Sequence, residues 1–172
     1  MTDPVLSSST RRPRRLRQPR RALLGVAAAS TLWLAGCGTF GPGASAPAPR
    51  DPQLAAFSAQ MTSMNEVPPV PGAATGRVDA VLNKETNLLR WRLTYTGLSG
   101  QPTMGHFHGP APVGVNAPVV LPFGSPLTPS MSGQATLTAA QAADLLAGRW
   151  YANVHTAAHP AGEIRGQMIL RE

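Results

Sequence analysis

The stretch LLRWRLTYTGL, Leu88 to Leu98, decides the fold class. Leu89, Trp91, Leu93 and Tyr95 alternate with Arg90, Arg92, Thr94 and Thr96. A period of two sends these sets to opposite sides of an extended chain, which predicts an antiparallel strand with one face on a core and one in solvent. Working outward, shorter runs of the same kind occur at AAFSAQM, TGRVDAVL, TMGHFHG, APVVLPF, GQATL, RWYANVH and EIRGQMIL. Gly, Pro and Asn turns separate them. The expected class is all-β, an immunoglobulin-like or Greek-key barrel or sandwich of about eight strands.

One segment breaks the alternation. In TAAQAADLLAGR, Thr138 and Gln141 stand at capping-box spacing, good helix formers follow, and Gly148 is placed to stop the helix. One short helix is expected there, delivering the chain to a strand in which Trp150, Ala152 and Val154 alternate with Tyr151, Asn153 and His155. Trp91 and Trp150 are expected in the core, and Arg90 and Arg92 on a solvated sheet face.

Toward the N-terminus the character changes. Seven of the fifteen basic residues lie between Arg11 and Arg21, and the apolar run ALLGVAAASTLWLA, Ala22 to Ala35, follows. At fourteen residues it is shorter than the roughly 20 a spanning helix needs, so it reads as a signal-peptide core. It ends in LAGC, which resembles the bacterial lipoprotein processing box, with Cys37 as the lipidated residue. Cys37 is the only cysteine of the 172 residues, which excludes an internal disulfide. Residues 1–36 are accordingly expected to be a lipoprotein signal peptide. Residues 37–53, running through GTFGPGASAPAPRDP, are expected to be a Gly, Pro and Ala tether, and residues 54–172 the folded domain. The expected location is exported and membrane-anchored, in the cell envelope. Gly38 after the lipidated position points to an outer membrane where the host has one. Arg20-Arg21 faintly resembles a twin-arginine signal and leaves the export route open.

Charge supports the same division. The formal +7 comes from the leader. From Cys37 onward Arg50, Arg77, Lys84, Arg90, Arg92, Arg149, Arg165 and Arg171 nearly balance Asp51, Glu66, Asp79, Glu85, Asp144, Glu163 and Glu172. A nucleic-acid partner is therefore not expected. A hydrolase triad has no support either, since no G-x-S-x-G turn accompanies the serines, and no phosphate-cradling glycine loop appears.

The residues that carry chemistry lie in GHFHGPAPVG, residues 105–114. Two apart on a strand, His106 and His108 share a face with Cβ atoms about 6 to 7 Å apart, and Phe107 faces the core. His155 ends the NVHT strand and His159 follows in a loop before Pro160. Neutral imidazoles suit copper(II) or zinc, whereas calcium and magnesium prefer oxygen. The same histidines also read as solvated or backbone-bonded polar groups closing a strand. Met104 shares their face, as a packing residue or a soft axial ligand. Glu163 and Arg165 share a face of the last strand, where an ion pair or contacts to loop backbone are expected of them.

Taken in order, NEVPPV (Asn65 to Val70), the Trp91 strand with GLSG, GHFHGPAPVG, TAAQAADLLAGR, WYANVHT and HPAGEIRGQM resemble the CHRD domain, named from chordin. The resemblance runs from about Phe57 to Met168. It implies an immunoglobulin-like β-barrel, faintly similar to copper/zinc superoxide dismutases, and no settled biochemical role. On the dismutase analogy His106, His108 and His155 would be ligands, His159 a loose fourth, and Arg165 an anion-guiding residue. A zinc loop with an aspartate and a cysteine pair have no counterpart. The expected function is a lipid-anchored binding or structural module with an undefined protein or small ligand and no evident enzymatic activity. The alternative is a copper or zinc site, with dismutase-like reactivity as its furthest extension.

Overall fold

The computed structural model describes residues 51–171. The expected signal peptide, Cys37 and most of the tether lie outside them. Nine strands form one antiparallel sheet: β1 (Leu54–Thr62), β2 (Thr75–Asn83), β3 (Leu88–Thr96), β4 (Pro102–His108), β5 (Val119–Pro122), β6 (Ser130–Thr136), β7 (Tyr151–Thr156), β8 (Ile164–Gln167) and β9 (Ile169–Arg171). Their spatial order is β5-β4-β7-β8-β1-β2-β3-β6, with β9 beside β1. The all-β class is as expected. Its strands curl as one sheet into a half-barrel, so that Trp91 of β3 meets Phe107 of β4 edge-on at 5.6 Å across the interior.

Alternation explains the pairing. Phe57, Ala80, Trp91 and Gly133 fall in one row across β1, β2, β3 and β6. A side chain at Gly133 would collide with the Trp91 indole, so glycine is what admits the ring there. The inward set Phe57, Met61, Val78, Leu82, Leu89, Leu93, Phe107, Val154 and Ile164 is 2% exposed or less. Each such side chain contributes about 1.5 to 3 kcal/mol of burial free energy. Trp150, fully buried, closes the core beside Phe107 at 5.7 Å. Arg90 and Arg92 point outward and are exposed.

The last expected strand divides at Met168. This residue is fully buried, and its N–H donates to the Trp150 carbonyl at 2.9 Å instead of to the ladder. Upstream, β8 lies between β7 and β1, and downstream β9 continues along β1 alone. The helix forms as expected. α1 (Ala139–Leu146) carries both hydrogen bonds of the Thr138/Gln141 capping box, and Gly148 adopts φ +68° beyond its end.

Two features position the candidate site. Strand β7 is buried on both sides, because its polar face lies beneath the β4–β5 loop (residues 109–118). Strand β4 lies between β5 and β7, in the register His106↔Asn153 and Met104↔His155. That pairing brings the H-x-H tripeptide alongside the late histidine.

Candidate metal centre

His106, His108 and His155 converge. Each offers a ring nitrogen, and the three atoms lie within 4.8 Å of one another. His106 Nδ1 and His155 Nε2 are 3.3 Å apart. His108 and His155 are buried, whereas His106 is half-buried and stands at the mouth. Burial, the His155 charge and the His108 charge hold the His106 pKa below the ordinary imidazole value. His155 is lowered too, by burial first and by His108, against the raising effect of its bond to Pro160. Both rings are thus biased toward the neutral form that carries a lone pair.

Backbone carbonyls orient two of the rings. His155 Nδ1 lies 3.0 Å from the Pro160 carbonyl oxygen, and His108 Nδ1 lies 2.9 Å from that of Ala117. A carbonyl only accepts, so each Nδ1 carries the proton and each Nε2 becomes the lone pair. The His108 Nε2 is 3.0 Å from Asn153 Oδ1, which like the lone pair only accepts, so the Asn153 carboxamide turned to present its Nδ2 is the donor that Nε2 would exchange for an ion. At metal–nitrogen distances of about 2.0 to 2.1 Å, ligand nitrogens in a tetrahedral site are about 3.4 Å apart. One edge of the trio already has that length, and an ion would draw the others in.

The remaining sequence candidates lie elsewhere. His159 is outside the trio, in the turn after β7, where its N–H donates to the Thr156 hydroxyl at 3.3 Å. Met104 is exposed on β4 opposite His155. Arg165 is 2% exposed, too buried to guide an anion from solvent. Its guanidinium donates to Asn116 Oδ1 and to the Val115 carbonyl, both at 2.6 Å, and lies 3.4 Å above the Tyr151 ring. Tyr151 in turn stacks on His108 with ring centroids 4.8 Å apart and planes 1° from parallel. Arg165, Tyr151 and His108 therefore form one layered stack, which the β4–β5 loop covers.

Tyr151, Asn153 and the Ala117 and Pro160 carbonyls belong to the site without being among the sequence candidates. Alternation along WYANVH puts Tyr151 and Asn153 on the His155 face, so that part was legible. The loop carbonyls leave no mark in residue type.

Two buried carboxylates beside this layer titrate in opposite directions. Burial pushes Glu163 up, but the donors outweigh it: the Thr156 hydroxyl at 2.6 Å, the Ser99 N–H at 2.7 Å and the Ser99 hydroxyl at 2.8 Å, with His159 adding charge, so its pKa is lowered. It makes no ion pair with Arg165. Glu66 of NEVPPV is 5% exposed, packs against Gly162, and has an Oε1 with no hydrogen-bond partner. Burial raises its pKa to about 7, against the lowering effects of the Arg165 charge and the Val67 N–H. A folded pKa above the unfolded one favours the protonated native state. The Glu66 contribution to stability is therefore fullest below about pH 4.5, falls as the pH rises to about 7, and then levels off. Glu66→Gln is expected to flatten that slope and to raise unfolding free energy at pH 8 by about 2 kcal/mol. Urea titrations of both proteins at pH 5 and pH 8 measure this, and an unchanged slope in the variant would refute the assignment.

No curated protein and no solved structure matches the chain. The model of the CHRD domain matches residues 57–168, which takes in β1 from Phe57, all of β2 to β8 with the helix, and the whole histidine trio, and stops just before β9. The chain belongs to the CHRD-domain family.

Proposed function

We propose that this protein is a membrane-tethered binding module whose ligand is a single copper(II) or zinc ion, held by His106, His108 and His155. One observation carries the reading: three imidazole nitrogens meet within 4.8 Å, and two of the rings have their other nitrogen against a backbone carbonyl. Copper and zinc are the ions that an all-nitrogen set of imidazoles favours. Protein dialysed against either ion is expected to retain close to one equivalent, and His106→Ala to abolish it. A folded protein that stays metal-free under those conditions would remove the proposal. Dismutase turnover is not included, because the arginine that would steer an anion is buried and its donors are engaged.

The tethering half rests on LAGC and the preceding apolar run. Cys37 is read as the lipidated residue and the following Gly, Pro and Ala segment as a spacer in the cell envelope. Cys37→Ser is expected to move the protein from the membrane fraction to the soluble one. Undiminished partition with membranes would sink the anchor.

A further inference from the structure

Away from the histidines, the outer face of β1, β2, β3 and β6 carries an open groove of about 640 Å³. Arg90, Arg92 and Arg171 line it, with Asp79 as the acidic residue among them. Asp79 is held by Arg77, with Arg77 Nη2 2.5 Å from its Oδ1. The other basic residues of the domain are placed differently. Arg149 pairs with Asp144, Arg165 is buried, and Lys84 sits in the β2–β3 turn beside Glu85. Apart from Arg149, a nearly neutral domain thus concentrates the exposed guanidinium groups of its described residues on one sheet face.

Leu54, Val81 and Ile169 project on the same face, 45%, 41% and 50% exposed. Among the described residues none of the large exposed apolar side chains is aromatic, and Phe57 and Trp91, which also border the groove, are buried, so the face presents no ring to stack on a sugar. Guanidinium groups interleaved with aliphatic side chains match the boundary between anionic headgroups and acyl chains. The place where the chain enters supports this. β1 begins at Leu54 on this face, directly after the segment read as a tether. A Gly- and Pro-rich chain of thirteen residues, Gly38 to Arg50, spans about 20 to 40 Å.

We infer that the face centred on Arg90, Arg92 and Arg171 docks on an anionic lipid bilayer, so that the sheet lies against the membrane. The inference uses the tether reading for the proximity of the bilayer, while the charge and the exposed aliphatic residues stand without it. Orientation by the face adds to the anchor, in the way that a basic patch adds to a single acyl chain.

The test uses the processed, lipid-bearing protein with Val81→Cys labelled by a small fluorophore, reconstituted into vesicles of phosphatidylcholine alone or with about 30% phosphatidylglycerol. Acrylamide quenching of the label is expected to fall about fivefold on the anionic vesicles only. About 0.5 M salt restores it by screening. Arg90→Gln with Arg92→Gln is also expected to restore quenching, while the far-ultraviolet spectrum and sedimentation with vesicles stay as in the parent. Equal quenching on both vesicle types, or protection that survives the double variant, overturns the inference. Protection by soluble dextran sulfate equal to that by vesicles would assign the face to an acidic polymer and overturn it as well. Failure of the anchor is read separately, as protein that does not sediment with vesicles. In that case the label at Val81, in the Cys37→Ser background, is quenched in the presence of excess anionic vesicles, and the same two outcomes decide.

Discussion

His155→Ala is expected to lower affinity for copper(II) or zinc by at least about 100-fold, with His159→Ala within about twofold of the parent. His155 is the member of the trio whose distance to a second ring is already that of co-ligands, and its tautomer is set by Pro160. Removing it leaves two imidazoles from one strand, of which His108 also meets Asn153. Two nitrogens make a weak surface chelate, whereas three with an open position make a site. His159 is spared because it stands outside the cluster. Isothermal titration with each ion gives the comparison. Equal losses in the two variants would mean that the ion sits elsewhere.

Arg165→Ala is expected to cost about 3 to 5 kcal/mol of unfolding free energy, a large part of the about 5 to 15 kcal/mol that a domain of this size has. The guanidinium is buried, serves two acceptors on the β4–β5 loop and covers Tyr151. Its removal leaves the Asn116 and Val115 oxygens without that donor and takes a countercharge away from Glu66. Lysine recovers little, because one ammonium cannot serve two diverging acceptors and stack on a ring as well. Denaturant unfolding at pH 7 reads the cost, and a loss below about 1 kcal/mol would show that the loop is held by something else. Because the same loop carries the Ala117 carbonyl that orients His108, weaker metal binding is expected to accompany the instability in any Arg165→Ala protein that folds.

Much of this architecture is local and therefore legible in the chain. A period of two at Leu88–Leu98 has one physical outcome when one set is apolar and the other charged, and the capping box at Thr138 acts within four residues. The break at Met168 is not local. EIRGQM alternates as far as Met168 and the apolar Ile169 and Leu170 follow without a turn residue, so what divides the strand is the Trp150 carbonyl, brought there by a different part of the fold. Glu66 likewise reads as an ordinary acidic residue in NEVPPV, and its raised pKa comes only from the packing around it.

The sequence by itself determined the all-β class, the helix, the inward and outward sets of β3 and β7, and the shared face of His106 and His108. Order and spacing of the motifs identified the CHRD family. Tertiary structure decided which strands became neighbours, because sheet order depends on contacts between residues far apart in the chain, and no local period encodes it. That order placed β7 beside β4 and so brought His155 3.3 Å from His106. It also turned Arg165 inward, since a guanidinium that finds two carbonyl-type acceptors and an aromatic face loses little by leaving water.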